Sequence, residues 1–112
     1  MGDTRYLDLL SEMAELHNRK SDDYGSDQDP LANIRASEEI DIPAWKGAWL
    51  RAKDKVRRID TFCRRGVLTN ESVDDSLMDL AAYSLIALVL LRESRDGEVT
   101  RDLGLHPITP SG

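Results

Sequence analysis

One stretch of the chain, residues 70–94, limits the possible folds more than any other. Its second half, residues 80–91, is almost entirely apolar and carries no charged side chain. A helix that is apolar on all sides must be buried on all sides, so it forms either the central helix of the fold or part of an oligomer interface. The run is shorter than the roughly 18 residues of a membrane-spanning helix. The pattern predicts a long central helix over residues 70–94 in an all-α domain.

The first half of this predicted helix is acidic. Asn70 is expected to be the N-cap, and Glu71, Asp75 and Asp79 fall on one face at helical spacing. Carboxylates at this spacing repel each other weakly, and a hard cation such as Mg²⁺ between them would offset that cost. The alternative is a solvated face on which Glu71 and Asp75 favour the helix dipole and Asp79 pairs with a basic residue.

The length, net charge and cysteine content of the chain limit the classes of protein to which it can belong. A chain of 112 residues is expected to form one domain, and its net charge of −6 argues against binding to duplex nucleic acid. Cys63 is the single cysteine, so no internal disulfide can form, and no Cys/His cluster suggests zinc. The N-terminus lacks the basic and apolar regions of a signal peptide, which favours a cytoplasmic location away from the membrane.

The first forty residues predict a helix, a loop and a short helix. Apolar residues recur at three- and four-residue steps over residues 4–20, and the acidic stretch 20–29 is typical of a loop. Asp29 followed by Pro30 predicts the start of a helix that ends near Asp41. The DG turn signal and two prolines predict an irregular tail over residues 95–112, so the domain is expected to span residues 1–94.

The third predicted helix covers residues 43–65 and stops at Gly66. One face is expected to be buried; it comprises Trp45, Trp49, Ala52, Val56, Ile59 and Cys63. Another face carries Arg51, Asp54, Lys55 and Arg58. That face is either a set of ion pairs such as Asp54–Arg58 or a phosphate-binding surface to which Asp54 adds a metal ligand. The short connection 66–70 predicts an antiparallel helical hairpin.

Several short motifs occur in a fixed order along the chain. They are K-x-x-D-Y-G at 20–25, Asn33, I-P-x-W-K-G at 42–47, R-x-x-D-K-x-x-R at 51–58 and E-S-x-x-D-x-L-x-D-L-A-x-Y at 71–83. In this order they resemble the small phage and prophage family called nucleotide-modification-associated domain 1. More distantly, the chain is similar to the MazG-like all-α nucleoside triphosphate pyrophosphatases.

The resemblance implies a helical homodimer or homotetramer, phage-encoded and acting in the host cytoplasm, that uses Mg²⁺ (or Mn²⁺) to cleave a nucleoside triphosphate into a monophosphate and pyrophosphate. The E-x-x-D half of the MazG signature matches Glu71 and Asp74, whereas its E-E-x-x-E half has no counterpart here. Glu71 and Asp75 are the expected catalytic metal ligands, with Asp79 or Asp54 assisting. The expected substrate-binding residues are Lys20, Asp23, Tyr24, Asn33, Arg51, Lys55 and Arg58.

Two other functions stay open at the level of sequence. The missing E-E-x-x-E suggests a module that binds a nucleotide without hydrolysing it. A small phage protein that docks a host helix through residues 80–91 would instead use its charged motifs as ion pairs within the hairpin.

Overall fold

The computed structural model describes the backbone of residues 1–24 and 29–102 and the side chains of residues 1–22 and 29–97. Its elements are α1 (Thr4–Tyr24), α2 (Ala32–Arg35), a 3₁₀ helix (Ala36–Ile40), α3 (Ala44–Arg65) and α4 (Val73–Asp102). These ranges contain no strand. The prediction of an all-α, bundle-like fold is confirmed.

The centre of the fold is the hairpin of α3 and α4. Gly66 ends α3 in the left-handed conformation, with φ 75°, and its N–H donates to the Phe62 carbonyl at 2.7 Å. A glycine adopts this conformation without steric cost, so the predicted helix stop is confirmed. The chain then turns through a short connection and returns along α3 as α4.

Small side chains form the buried contact between these two helices. The buried apolar residues of the described ranges are Ala44, Ala48, Ala52, Ala87 and Leu90, and Ser76 is buried with them. Alanines let two helices approach closely, so larger side chains of α3 lie at the flanks of the contact. The predicted buried face of α3 is therefore wrong in part: Ala52 is buried, but Trp49 is 45% exposed and Cys63 is exposed.

The opposite side of α4 is open. Leu85 and Val89 are 50% and 54% exposed, although the sequence predicted burial on all sides of this segment. Helix α1 runs beside them, and its own Leu9 and Leu10 are also exposed. Burial on all sides within the single chain is therefore wrong for these residues, and the alternative of an oligomer interface stays a prediction.

Three predicted boundaries are corrected. Helix α1 continues to Tyr24, so Lys20, Asp23 and Tyr24 belong to a helix and not to a loop. Helix α4 begins at Val73, because the Ser72 hydroxyl accepts a hydrogen bond from the Asp75 N–H at 3.1 Å and caps the helix in place of Asn70.

At its other end α4 continues to Asp102, so the predicted irregular tail is wrong for residues 95–102. Most residues after Ser94 are compatible with a helix, and one internal glycine costs only about 1 kcal/mol. The rest of the predicted tail, residues 103–112, lies outside the described residues.

Hydrogen bonds and close packing hold the segment between α1 and α3 against the hairpin. Asp29 Oδ1 accepts the Leu31 N–H at 3.0 Å in a turn, but α2 begins at Ala32 with Leu31 as its N-cap, so the predicted helix start at Asp29 and Pro30 is wrong by two residues. Arg35 reaches Glu93 of α4 through two hydrogen bonds of 2.8 and 2.9 Å. The 3₁₀ helix crosses α3 so closely at Gly47 that a Cβ there would lie 2.7 Å from Ser37 Oγ. These contacts hold Asn33 beside the hairpin.

No helix in residues 1–24 or 29–102 has both the length and the apolar character required to cross a membrane.

Candidate functional site

Lys55 joins two carboxylates from different segments. Its Nζ lies 2.9 Å from Glu71 Oε1, in the connection before α4, and 3.1 Å from Asp79 Oδ2, one and a half turns into α4. The three side chains are at most 18% exposed. Two carboxylate oxygens thus converge on one cation position between α3 and α4.

Glu71 is held from its other side as well. Its Oε2 accepts a short hydrogen bond from the hydroxyl of buried Ser76, and Arg58 Nη1 lies 3.8 Å away. The Ser76 hydrogen bond, followed by the hydrogen bond from Lys55, holds the pKa of Glu71 below its ordinary value. Glu71 is therefore a fixed carboxylate that stays ionised into acid.

Asp79 connects the hairpin to α1. Its Oδ1 lies 3.3 Å from Nζ of Lys20, while its other oxygen faces Lys55. Burial by itself would lower the pKa of Lys55, but the hydrogen bonds that Lys55 donates to Glu71 and Asp79 outweigh burial and raise it. Lys55 is thus a permanent cation, and together Lys20, Lys55, Glu71 and Asp79 form what we call the polar cluster.

A cleft opens next to the polar cluster. Two of the cluster's members, Lys20 and Asp79, lie in its wall together with Asn33 and Arg51, and the space inside it that water can enter is about 100 Å³. The rest of the wall is mostly apolar; it includes Met13, Leu16, Leu31, Ile34, Met78, Tyr83 and Ile86. A cleft with an apolar interior and a few polar groups at one side has the usual character of a small-molecule site.

The structure brings together some of the predicted site residues and separates others. Lys20, Asn33 and Arg51 meet at the cleft, and Lys55 lies behind Asp79. Asp54 pairs with Arg58 at 3.1 Å on a largely exposed part of α3, as the ion-pair interpretation predicted. The side chains of Asp23 and Tyr24 lie outside the described residues.

The predicted stripe of three carboxylates does not form. Glu71 precedes the first turn of α4, so helical spacing does not relate it to Asp75, and the Asp75 side chain is exposed. Among the residues that the structure describes, no group of three or more His, Cys, Asp or Glu side chains is arranged to hold a metal ion. Of the four predicted metal ligands, the structure brings Glu71 and Asp79 together and leaves Asp75 and Asp54 apart from them, and metal binding by any of the four stays a prediction.

Ser76 is the member of the site that sequence reasoning missed. It lies 11 and 14 residues before Ala87 and Leu90, on the face of α4 that packs against α3. A polar residue on a face of this kind must find a partner, because an unsatisfied buried hydroxyl is costly. That rule applied to the helical period would have identified Ser76, although it would not have named Glu71 as its partner.

Comparisons with known proteins leave the site to be interpreted from its own geometry. No protein-family model, curated protein or solved structure matches this chain. The likeness to the nucleotide-modification family therefore rests on the ordered motifs alone.

The donor set has the chemistry of a partial magnesium site. Mg²⁺ is commonly held by one or two carboxylates, with water and substrate phosphates completing its shell. The oxygens of Glu71 and Asp79 that meet at Lys55 Nζ supply such a pair. The ammonium group of Lys55 stands where the metal ion would bind, so a divalent cation requires Lys55 to turn away.

Proposed function

We propose that this protein binds a nucleoside triphosphate in the cleft beside the polar cluster and hydrolyses it, with Mg²⁺, to a monophosphate and pyrophosphate. One observation carries the proposal. Two carboxylates, Glu71 and Asp79, converge on a single cation position, and one of them, Asp79, also lies in the wall of a cleft that contains Lys20 and Arg51. Converging carboxylates next to cationic side chains are what a metal–triphosphate complex requires.

Each side chain of the site has its own role in this proposal. Lys20 and Arg51 bind phosphate oxygens at the mouth of the cleft, and Asn33 offers an amide to the base or sugar. Lys55, released from Glu71 and Asp79, turns toward the added negative charge of the phosphates. Glu71 and Asp79 would hold Mg²⁺, which would supply neutralisation of phosphate charge and a bound water of lowered pKa. The Ser76 hydrogen bond keeps Glu71 oriented for this role.

Nucleotide binding without hydrolysis is the second candidate. It is favoured by the ion pairs of Lys55 with both carboxylates, which leave the cation position already occupied by an ammonium group. Phosphates would then be bound by Lys20 and Arg51 alone, and the carboxylates would orient Lys55.

The deciding experiment is a panel of ribo- and deoxynucleoside triphosphates incubated with the protein, with and without Mg²⁺, and resolved by chromatography. Metal-dependent release of monophosphate and pyrophosphate supports the proposal. Thermal stabilisation by a nucleotide without product supports the second candidate. A panel that gives neither product nor stabilisation overturns both.

Three single substitutions then identify the ligands. Asp79→Asn and Glu71→Gln are expected to lower turnover at least about 100-fold, because each removes one of two converging carboxylates. Asp75→Asn tests which carboxylates act in turnover. Turnover close to wild type supports the pair Glu71 and Asp79. Abolished turnover supports the stripe of Glu71, Asp75 and Asp79 that the sequence predicted. Asp60→Asn, an exposed change on α3, is the matched control.

A further inference from the structure

The exposed side of α4 carries a regular stripe. Successive members are three or four residues apart, which is the heptad spacing of a helix–helix seam, and every member is exposed. We call this set the outer stripe; it consists of Asp74, Leu77, Ala81, Leu85, Leu88 and Arg92. Its centre is apolar and its two ends carry opposite charges.

Helix α1 widens the same surface. A groove between α1 and α4 is lined by Tyr6, Leu9 and Leu10 on one side and by Leu77 and Leu85 on the other. A second groove continues it toward Val89 and shares Leu10 and Leu85 with the first. The outer stripe and the two grooves form one continuous apolar surface.

The exposed area matches what one side of a stable interface buries. Seven large side chains of this region are between 38% and 63% exposed; they are Tyr6, Leu9, Leu10, Leu77, Leu85, Leu88 and Val89. At an average of about half-exposed, they present roughly 700 Å² to solvent. A standard interface buries about 800 Å² on each partner.

The order of charges along the outer stripe indicates which partner binds there. If a second copy of α4 lies antiparallel on the first, Asp74 of each copy lies opposite Arg92 of the other, and Leu77 lies opposite Leu88. A parallel arrangement would instead put like charges together at both ends. The stripe is therefore complementary to itself under a two-fold rotation, which is the requirement of an isologous dimer.

We propose that the outer stripe and the adjoining face of α1 bind a second copy of this chain, with the two α4 helices antiparallel. The dimer buries the large apolar side chains that the monomer leaves in water. The resemblance implied a homodimer or tetramer without indicating a surface, whereas this proposal rests on the exposed residues of α1 and α4. It is independent of the proposed hydrolysis, because the polar cluster lies on the α3 side of α4.

The first test is the molar mass of the full-length chain by light scattering and sedimentation equilibrium. The wild-type chain is expected at twice its 12.6 kDa monomer mass. Leu85→Glu is expected to weaken the dimer by roughly 100-fold or more, because it buries a charge on each side of the two-fold axis. Leu50→Glu is the matched control, since Leu50 is similarly exposed but lies on α3, outside both grooves.

The second test examines the antiparallel arrangement. Asp74→Arg and Arg92→Asp are each expected to weaken the dimer about 10-fold, because each places like charges opposite one another. The double variant restores the pairs with their signs exchanged and is expected to recover affinity to within about 3-fold of wild type. Helical content by circular dichroism verifies that every variant is folded.

Three results would overturn the proposal. A wild-type chain that stays monomeric at high concentration would leave the surface to a partner of different sequence. A dimer that Leu85→Glu does not weaken would lie on another surface. A double charge exchange that is as weak as the single variants would exclude the antiparallel pairing.

Discussion

The two sides of α4 differ in which side chains they bury. Small side chains are buried on one side, whereas large side chains are exposed on the other. On the side that faces α3, the fully buried contacts are made mainly by alanines and a serine together with Leu90, and Ile86 is partly buried against them. On the side that α1 borders, leucines such as Leu77 and Leu85 stay half-exposed. Some of the large apolar side chains of α4 are thus directed away from the core of the single chain.

This difference indicates that the two sides serve different contacts. Small residues allow the close approach that brings Lys55 within reach of Glu71 and Asp79, so the α3 side fixes the geometry of the candidate site. Large residues on the other side face α1 across open grooves and stay half-exposed. Four expected outcomes test this comparison.

The largest effect is expected from Leu90→Ala. Leu90 is 4% exposed in a cluster with Ala44, Ala48 and Ala87, so its truncation leaves a cavity between α3 and α4. We expect the free energy of unfolding to fall by about 2–5 kcal/mol. Urea unfolding followed by tryptophan fluorescence, at dilutions where the chain is monomeric, measures it.

Leu88→Ala is the matched control for Leu90→Ala, because it lies two residues away on the exposed side of the same helix. We expect a loss of less than about 1 kcal/mol in the monomer. Equal losses in the two variants would contradict the distinction between the two sides.

The second effect comes from enlarging a buried alanine. Ala48→Leu inserts three carbon atoms where α3 meets α4, and Ala48 is fully buried. We expect a destabilisation of about 1–3 kcal/mol by urea unfolding, because the helices must separate to accept the larger side chain. Ala81→Leu on the exposed side of α4 is expected to change the monomer by no more than about 0.5 kcal/mol. A neutral Ala48→Leu would mean that the contact is loose.

The third effect concerns Lys55. Lys55→Met keeps most of the side-chain volume but leaves Glu71 and Asp79 without their shared cation, which we expect to cost about 1–2 kcal/mol. The same change at exposed Lys53 of α3 provides the control and should be close to neutral. If the losses are equal, the polar cluster contributes nothing to stability.

The smallest expected effect is the loss of the stabilisation by Glu71 at acid pH. The pKa of Glu71 is lowered in the folded chain by the Ser76 and Lys55 hydrogen bonds, so its stabilisation is fully present above the ordinary value of 4.5. That stabilisation is lost as the pH falls through the lowered pKa, because the unfolded chain then binds the proton more readily. We expect wild type to exceed Glu71→Gln by about 1 kcal/mol at neutral pH, with the difference vanishing in strong acid. A difference independent of pH would contradict this role for Glu71.

The sequence predicted those parts of the fold that depend on local chemistry. The helical period and Gly66 predicted the α3–α4 hairpin and its turn, because a left-handed glycine stop is a property of a few neighbouring residues. The choice of N-cap was less determined: Asn70 and Ser72 are both good caps, and the three-dimensional packing of Glu71 selects Ser72.

The site was harder to predict because its contacts join distant segments. The i,i+4 pair Asp54–Arg58 followed from spacing alone and is confirmed. The contacts of Lys55 with Glu71 and of Lys20 with Asp79 depend on how α1 and α4 approach α3, which no periodicity encodes. The sequence therefore named Lys20, Lys55, Glu71 and Asp79 without showing that they meet, and it grouped them with Asp75, which lies apart from them in the structure.

Helix α1 contacts α4 through the Lys20–Asp79 ion pair and the side chains that line the two grooves, and this has a consequence for the order in which the chain folds. The short connection between α3 and α4 makes their association a local event with little loop-closure entropy to overcome, whereas α1 must dock from the far end of the chain. In native-state hydrogen exchange, the backbone amides of α1 should open locally at low free energy, while those of the hairpin open only with the whole molecule. Helix α1 then behaves as a late and separable unit of the folding reaction, whose release would free Asp79 from Lys20 without unfolding the hairpin.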